Sequence, residues 1–321
     1  MSNAAPSLSA PPAPLPAPPA SGDRRRIRVG SPVTPYLFVA PFLVLFAVFV
    51  LAPILVLAYS STRQWILGFD SGGFIAAQNY TTLLSGEGVL SEEFWRGMRV
   101  TAIFTALSVP LLVVVPFALA LLLNQKFPGR TFFRAVYFAP YVLGVAVVGV
   151  LWHFLLDARV GPVNHLLGSL GLPDTVAWTT SLPAGWVSLV GVTVWWTVGF
   201  NAVIYLAALQ DVPAQLYEAA RIDGTNAWQR LWVVTIPHMR RVLQFVVVIT
   251  IIASANMYGQ SALITNEQPG GATRTAIGYI AQTGMQSYDI GMASAMSMIL
   301  AVCLIAASLL VNQIFRFVGK V

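Results

Sequence analysis

Six long runs without a charged residue limit how this 321-residue chain can fold. About 20 mostly apolar residues at 1.5 Å rise each are enough to cross a bilayer as a helix. Each run has 22 to 25 residues, too long for an ordinary strand, and lipid admits only helices or closed barrels. The predicted spans are 35–59, 100–123, 135–156, 186–209, 242–264 and 290–314. The sequence therefore predicts an all-α membrane protein with six transmembrane helices.

The composition agrees with this prediction. Hydrophobic residues make up 57% of the chain and charged residues only 9%, whereas soluble domains carry about 25% charged residues. So few charges cannot cover a globular surface, which argues against a large soluble protein. The single cysteine, Cys303, cannot form a disulfide within the chain.

Lysine and arginine set the orientation, because they concentrate in cytoplasmic loops. With the N-terminus placed inside, thirteen of the 18 basic residues lie on the cytoplasmic side and five outside. We therefore predict that both termini are cytoplasmic. The loop between the fourth and fifth spans is then cytoplasmic as well.

The first 30 residues differ from the rest. They are rich in proline and alanine and end in a basic cluster, "DRRRIR". Such a segment cannot build a core, and we interpret 1–30 as a disordered cytoplasmic tail before a membrane domain over 31–321. A cleaved signal peptide is the alternative, but the apolar run that follows is longer than the 7–15 residues such a peptide uses.

The chain lacks the motifs of an enzyme or a self-powered pump. Neither of its two lysines, Lys126 and Lys320, ends a phosphate-binding loop motif. The histidines, His153, His165 and His238, are scattered without metal-ligand spacing, and no carboxylate lies inside a predicted span. We expect no enzyme activity, no metal and no cofactor in this chain. Uphill transport would need energy from another polypeptide.

One polar stretch, "EAARIDGTNAWQRLW" (218–232), interrupts the apolar sequence. The predicted loop 210–241 is longer than a bare helix connection needs. Asp211 can cap a helix that has Pro213 in its first turn. One face of that helix would carry Leu216, Ala219, Ala220 and Asp223, whose two alanines leave room for another surface.

The second half of this loop predicts another helix. Gly224 can supply the left-handed turn that ends the first helix, and Asn226 with Gln229 resembles a capping box for the second. We expect Trp228 and Trp232 to sit against the spans and Pro237 to break the second helix. The spacing favours a docking surface and an interfacial amphipathic anchor about equally.

The stretch "EAARIDGTNAWQRLWVVTIP" resembles the EAA loop of binding-protein-dependent ABC importer permeases. Thr225 stands where that pattern often has alanine, and Arg241 where a proline often follows. Further segments such as "FPGRTFFRAVYFAPY" (127–141) and "YDIGMASAMSMIL" (288–300) are similar to the carbohydrate branch, the maltose and glycerol-3-phosphate type. The positions that match the loop are Glu218, Ala219, Ala220, Asp223, Gly224 and Pro237.

This resemblance implies a type I importer permease in a bacterial plasma (inner) membrane. The loop would then be a coupling helix in a cleft of a cytoplasmic ATPase dimer, which holds the ATP and Mg²⁺, with Glu218 bonding or capping within that contact. It also implies a second permease, expected to be a different chain, and an external solute-binding protein. ATP binding would drive alternating access and pass a sugar or sugar derivative into the cytoplasm.

In maltose-type permeases the two helices that flank the EAA loop supply the sugar site. In the fifth predicted span Thr250, Ser254, Met257 and Ser261 share one helical stripe. The candidate pathway residues are Trp196, Thr197, Phe200, Asn201, Thr250, Ser254, Asn256 and Met257. Such side chains also serve as hydrogen-bonding contacts between membrane helices. Our hypothesis is that Ser254 and Asn201 contact the substrate.

An alternative is a self-contained carrier or channel in which the polar loop is only an anchor. The lack of a charged residue in any span argues against an ion site of its own. The sequence leaves open which sugar is carried and whether this chain or the binding protein selects it.

Overall fold

A computed structural model describes residues 34–69 and 71–318. The predicted tail, 1–30, lies outside the described residues. The described chain is almost entirely helical, as the sequence predicts.

The chain divides into two compact units, Met1–Pro53 and Ile54–Val321. In the first unit, α1 (Thr34–Phe46) continues into a π-helical turn (Ala47–Leu51). The side chains from 36 to 53 are exposed, apart from the half-buried Ala40. Exposed hydrocarbon of this kind matches a lipid environment.

The remaining elements follow in chain order. The helices are α2 (Ala52–Ser60), α3 (Gln78–Leu84), α4 (Val89–Asn124), α5 (Arg130–Val142), α6 (Val145–Leu155), α7 (Pro162–Ser169), α8 (Ala184–Gln210), α9 (Ala214–Ile222), α10 (Ala227–Arg230), α11 (Ile236–Ala255), α12 (Ala276–Ala281) and α13 (Ile290–Val318). Three further π-helical turns are Leu231–Thr235, Ser261–Thr265 and Gln282–Gln286. The two strands are β1 (Arg63–Trp65) and β2 (Ser71–Phe74), which pair antiparallel.

Five helical stretches of the described chain are long and apolar enough to cross a membrane, and a bent pair of helices makes up to six. The five are Tyr36–Ser60, Val89–Asn124, Ala184–Gln210, Ala227–Ala255 and Ile290–Phe317. The all-α membrane fold is confirmed. The cytoplasmic location of the termini stays a prediction.

The predicted third span, 135–156, is not one straight helix. It consists of α5 and α6, which meet at an angle of 96°. Pro140 cannot donate to the carbonyl one turn earlier, and Leu143 adopts an extended backbone between the two helices. The bend brings the end of α5 against α8.

The predicted fifth span, 242–264, is interrupted as well. α11 ends at Ala255, and a π-helical turn follows at Ser261–Thr265. The Asn256 side chain donates to the Ile252 carbonyl (2.7 Å), and the Thr275 hydroxyl donates to the Met257 carbonyl (2.6 Å). The Ile252 carbonyl also accepts the Asn256 backbone N–H (3.1 Å), so side-chain and backbone bonds together close the helix end.

The small hairpin of β1 and β2 is absent from the sequence prediction. Gly72 in β2 lies so close to β1 that a Cβ there would come within 2.4 Å of the Gln64 carbonyl oxygen. An isolated bridge links Ile66 to Asp289, just before α13. The hairpin therefore packs near the start of the last helix.

Helix α8 forms the centre of the second unit and packs along α4. One buried cluster contains Phe104, Val148 and Leu189, from α4, α6 and α8. Another contains Ala120 and Tyr205, from α4 and α8, together with residues of α11. In lipid, the hydrophobic effect contributes little to the association of such helices. Close packing and interhelical hydrogen bonds therefore become important.

Candidate transport cavity and coupling loop

A cavity of about 520 Å³ lies between α4, α5, α8 and α11. This volume is within the usual range for small-molecule sites. Its lining residues are Phe104, Leu112, Tyr141, Thr193, Trp196, Thr197, Phe200, Asn201, Phe245, Ile249, Thr250, Ala253, Ser254 and Gln260. Aromatic rings and uncharged polar groups therefore surround one space.

The aromatic side of the cavity is set by a close approach of α8 to α5. A Cβ on Gly199 would lie 2.3 Å from the Tyr137 carbonyl oxygen, so only glycine fits there. The next residue, Phe200, stacks on Tyr141, one turn beyond Tyr137 in α5, with ring centroids 4.7 Å apart. The Trp196 indole N–H donates to the Leu143 carbonyl at the bend after α5 (3.0 Å). Three rings are thereby fixed at the cavity wall.

Asn201 holds α8 to α4 at a proline. Pro116 has no N–H, so the Leu112 carbonyl one turn earlier lacks its helical partner. The buried Asn201 amide donates to that carbonyl at 2.9 Å, with a longer contact of 3.5 Å to the Thr250 hydroxyl. A hydrogen bond from a different helix thus replaces the one that proline removes.

A second polar contact joins α4 to α11. The Ser108 hydroxyl donates to the Ser254 hydroxyl at 3.1 Å, and both side chains are buried. Ser254 therefore serves as a contact between helices and also lines the cavity.

The structure brings six of the eight predicted pathway residues to the cavity. These are Trp196, Thr197, Phe200, Asn201, Thr250 and Ser254. Asn256 is exposed at the end of α11, and Met257 is buried in the core, so neither lines the cavity. The predicted stripe does not continue because the helix stops at Ala255. Sequence reasoning missed Tyr141 and Gln260, which come from the two interrupted spans.

The helix–turn–helix predicted for the loop 210–241 is present as α9 and α10. Gly224 has φ +74°, a left-handed turn that glycine adopts without strain. Asn226 and Gln229 exchange hydrogen bonds of 2.8 and 2.9 Å in a capping box. The Arg230 guanidinium also donates to the Thr225 carbonyl. Bonds within a few residues therefore hold the turn.

Two details of this loop differ from the sequence prediction. Asp211 ends α8 and does not cap α9, which begins after Pro213 without a side-chain cap. Pro237 does not break the second helix, since Ala227–Ala255 runs through it as one stretch. The π-helical turn before it shifts hydrogen bonding, with the Ile236 N–H reaching Leu231, and proline is tolerated in the first turn that follows.

The two tryptophans of the loop also differ from the prediction. Trp228 and Trp232 pack edge to face with centroids 5.7 Å apart, but they are 65% and 54% exposed and do not sit against the spans.

The small face of α9 lines a cleft of about 410 Å³ against the start of the following helix. Its lining residues are Leu216, Ala219, Ala220, Asp223, Val233, Val234, Pro237 and His238. Five of the six residues that match the EAA pattern are thus either in this cleft or at the turn beside it, with Gly224 forming the turn. Glu218 is exposed and makes no ion pair in the described part of the chain.

The histidines do not form a metal site. His153 lies 2.8 Å from the Ile264 carbonyl oxygen, which ties α6 to the π-helical turn after α11. Across residues 34–69 and 71–318, no cluster of three or more His, Cys, Asp or Glu could hold a metal ion.

A helical bundle with apolar spans, an internal cavity and an exposed helical loop between two spans is the architecture expected of a membrane transport subunit. The chain belongs to the family described as binding-protein-dependent transport system inner membrane component, whose profile matches residues 79–320. It is therefore an ABC importer permease subunit and not an enzyme, as the EAA resemblance predicts.

Relatives over nearly the whole chain agree with this assignment. A probable ABC transporter permease of Sinorhizobium fredii is 34% identical, over 91% of this chain and 93% of that protein. An arabinooligosaccharide transport permease of Halalkalibacterium halodurans is 31% identical, over 86% of each chain. An sn-glycerol-3-phosphate transport permease of Agrobacterium fabrum is 30% identical, over 90% of this chain and 95% of that protein.

Solved structures share the fold. A bacterial alginate ABC transporter, in complex with a periplasmic protein bound to an alginate pentasaccharide, superposes with a TM-score of 0.74 at 25% identity. That match covers 89% of this chain and 95% of the other. A second alginate transporter structure has a TM-score of 0.73 at 23% identity, covering 88% of this chain and 95% of the other.

Proposed function

We propose that this chain carries a sugar or sugar derivative across a bacterial plasma (inner) membrane as one of two permease subunits. Its partners are a second, different permease, a cytoplasmic ATPase dimer and an external solute-binding protein. ATP and Mg²⁺ bind to the ATPase, and this chain holds no cofactor. Both termini face the cytoplasm.

The observation that carries this proposal is that the cavity and the loop share two helices. α8 lines the cavity and ends three residues before α9 begins, and α11 continues directly from the second helix of the loop. A displacement of α9 therefore moves the two helices that carry Trp196, Asn201 and Ser254. This connection supports alternating access driven by the ATPase dimer.

The cavity chemistry supports a sugar as the solute. Ligand sites combine apolar and aromatic walls with a few placed polar groups. Here the stacked Tyr141 and Phe200 rings offer a flat surface, while Thr250 and Ser254 offer hydroxyls. The names of several relatives, which carry arabinooligosaccharides, trehalose and maltose, or glycerol phosphate, are consistent with this class.

The cleft between α9 and the following helix supports docking to the ATPase. Its alanines leave backbone accessible, and Glu218 and Asp223 supply exposed carboxylates beside it. In this proposal Glu218 bonds with the ATPase, while Ala219 and Ala220 allow close approach. The left-handed turn at Gly224 fixes the angle at which the loop leaves that contact.

The first experiment is purification of the tagged chain in a mild detergent, with mass spectrometry of co-purifying proteins and an ATP hydrolysis assay. We expect an ATPase subunit and a second permease, with hydrolysis stimulated by a binding protein loaded with sugar. A chain that purifies alone and moves solute in liposomes without ATP contradicts the proposal and favours a self-contained carrier.

A further inference from the structure

The cavity contains no charge. None of the fourteen lining residues in the described part of the chain is acidic, basic or histidine. The relatives and structural neighbours include systems for a phosphate ester and for an acidic polysaccharide. An anion in a low-dielectric space without a cation pays a large desolvation penalty. The lining therefore discriminates between classes of solute that the family as a whole carries.

Four polar side chains of the wall already donate their hydrogen bonds inside the protein. The Thr193 and Thr197 hydroxyls donate to carbonyls four residues earlier, at 2.7 and 2.8 Å. The Trp196 indole donates to the Leu143 carbonyl, and the Asn201 amide donates to Leu112. These donors hold helices together, so they cannot also donate fully to a solute.

Gln260 is different. Its half-buried side chain lines the cavity, and among the described residues its amide has no hydrogen-bond partner. A carboxamide both donates and accepts, which matches the hydroxyls of a sugar. A half-buried amide without a protein partner is therefore ready to bond a solute.

The interruption of the fifth span places Gln260 at the cavity. In a continuous helix, successive residues turn by roughly 100°, so position 260 would lie well off the stripe of Thr250 and Ser254. α11 stops at Ala255 and helix resumes only after Tyr258. Residues after the break therefore do not keep the helical phase of α11. A close contact fixes the new segment, since a Cβ on Gly259 would lie 2.7 Å from the Val145 side chain.

We propose that this cavity selects an uncharged sugar and that Gln260 is the specificity-determining side chain that hydrogen-bonds its hydroxyls. The inference rests on the proposed sugar transport function and adds the substrate class to it. The aromatic wall binds the apolar face of the sugar, and the Gln260 amide forms hydrogen bonds with its hydroxyls. Phosphate esters and uronates are disfavoured because no cation of the described chain lines the cavity to offset their charge.

The test uses the complete importer reconstituted in liposomes. ATP is supplied on the side of the membrane that carries the ATPase, and the binding protein on the opposite side. Uptake is measured for uncharged solutes (maltose, trehalose, arabinobiose) and for anionic ones (sn-glycerol-3-phosphate, an unsaturated alginate disaccharide). We expect the solute with the highest uptake to be uncharged. Gln260→Leu, which keeps the size of the side chain, should lower that uptake about tenfold, as the loss of one buried hydrogen bond implies.

The matched control is Gln286→Leu, on the exposed side of the segment before α13. It should transport normally and keep the basal ATP hydrolysis of the wild type, and both variants should keep the thermal stability of the wild type. An anionic solute as the best substrate, or full uptake by Gln260→Leu, overturns this inference. A wild-type importer that shows no ATP-driven uptake of any solute contradicts the proposed function itself.

Discussion

The cavity and the loop that contains α9 and α10 are both built around helix interruptions, but their hydrogen bonds span very different distances along the chain. In the cavity, Asn201 bonds to a carbonyl 89 residues away and Ser108 bonds to a hydroxyl 146 residues away. In the loop, Asn226 and Gln229 are three residues apart, and Thr225 bonds to a carbonyl five residues away.

This difference has a mechanical consequence. Local bonds keep α9 and the turn after it in one shape, whatever the rest of the bundle does. The bonds at the cavity join separate helices, so they must stretch or exchange when α8 moves relative to α4 and α11. In the proposed mechanism the loop transmits a displacement and the cavity responds to it.

The largest effect should come from filling the contact between α8 and α5. In Gly199→Ala the new methyl group would overlap the Tyr137 carbonyl and force the helices apart. We expect a loss of about 3 kcal/mol in stability and a near-complete loss of transport. Thermal unfolding in detergent and ATP-driven uptake measure the two effects.

Gly191→Ala is the matched control for this variant. It lies on the same helix, but a Cβ there meets no atom within 4 Å, so stability and uptake should stay at wild-type values. Equal behaviour of the two alanine variants would show that the approach of α8 to α5 is not tight in the membrane.

The next effect concerns the bond that compensates for Pro116. Asn201→Leu leaves the buried Leu112 carbonyl without a donor and should cost about 2 kcal/mol. Adding Pro116→Ala restores a helical N–H to that carbonyl and should recover about 1 kcal/mol of the loss. Thermal unfolding of the wild type, both single variants and the double variant measures this coupling. Strictly additive effects would mean that the amide does not replace the missing helical bond.

The same contrast explains what could be predicted from the sequence. The turn of the loop follows from local signals, a glycine at position 224 and an Asn–Gln pair three apart, and the structure contains both features. Polar residues inside apolar runs likewise indicated Thr250 and Ser254. The substrate and coupling roles of these residues stay predictions.

The interruptions of the spans could not be predicted in this way. Whether a proline bends a membrane helix depends on which neighbour satisfies the freed carbonyl. Pro140 coincides with a break of 96°, whereas Pro237 lies in a continuous helix because a π-helical turn precedes it. Just after α11, the Met257 carbonyl accepts a hydrogen bond from Thr275, 18 residues further along. The local sequence pattern therefore did not predict the burial of Met257 or the position of Gln260.

A smaller effect is expected at the turn of the loop. A β-branched residue at Gly224 must adopt the left-handed conformation, at a cost of about 1–2 kcal/mol, although its side chain meets open space. Gly224→Val should therefore assemble with the ATPase but show sugar-stimulated hydrolysis several-fold below wild type. Gly224→Asn is the matched control, because asparagine tolerates this conformation. Equally impaired variants would indicate that the missing space, and not the backbone angle, matters at this position.

The smallest effect tests whether the shape of the loop depends on its own bonds alone. Asn226→Ala removes the capping box and should destabilise the start of α10 by about 1 kcal/mol. Because this helix continues into α11, the change should lower coupled hydrolysis by less than Gly224→Val does and leave sugar binding at the cavity unchanged. Asn226→Ser keeps a capping oxygen and should restore coupling. A drop in sugar affinity with Asn226→Ala, measured by titration of the purified importer, would show that the capping box also determines the shape of the cavity.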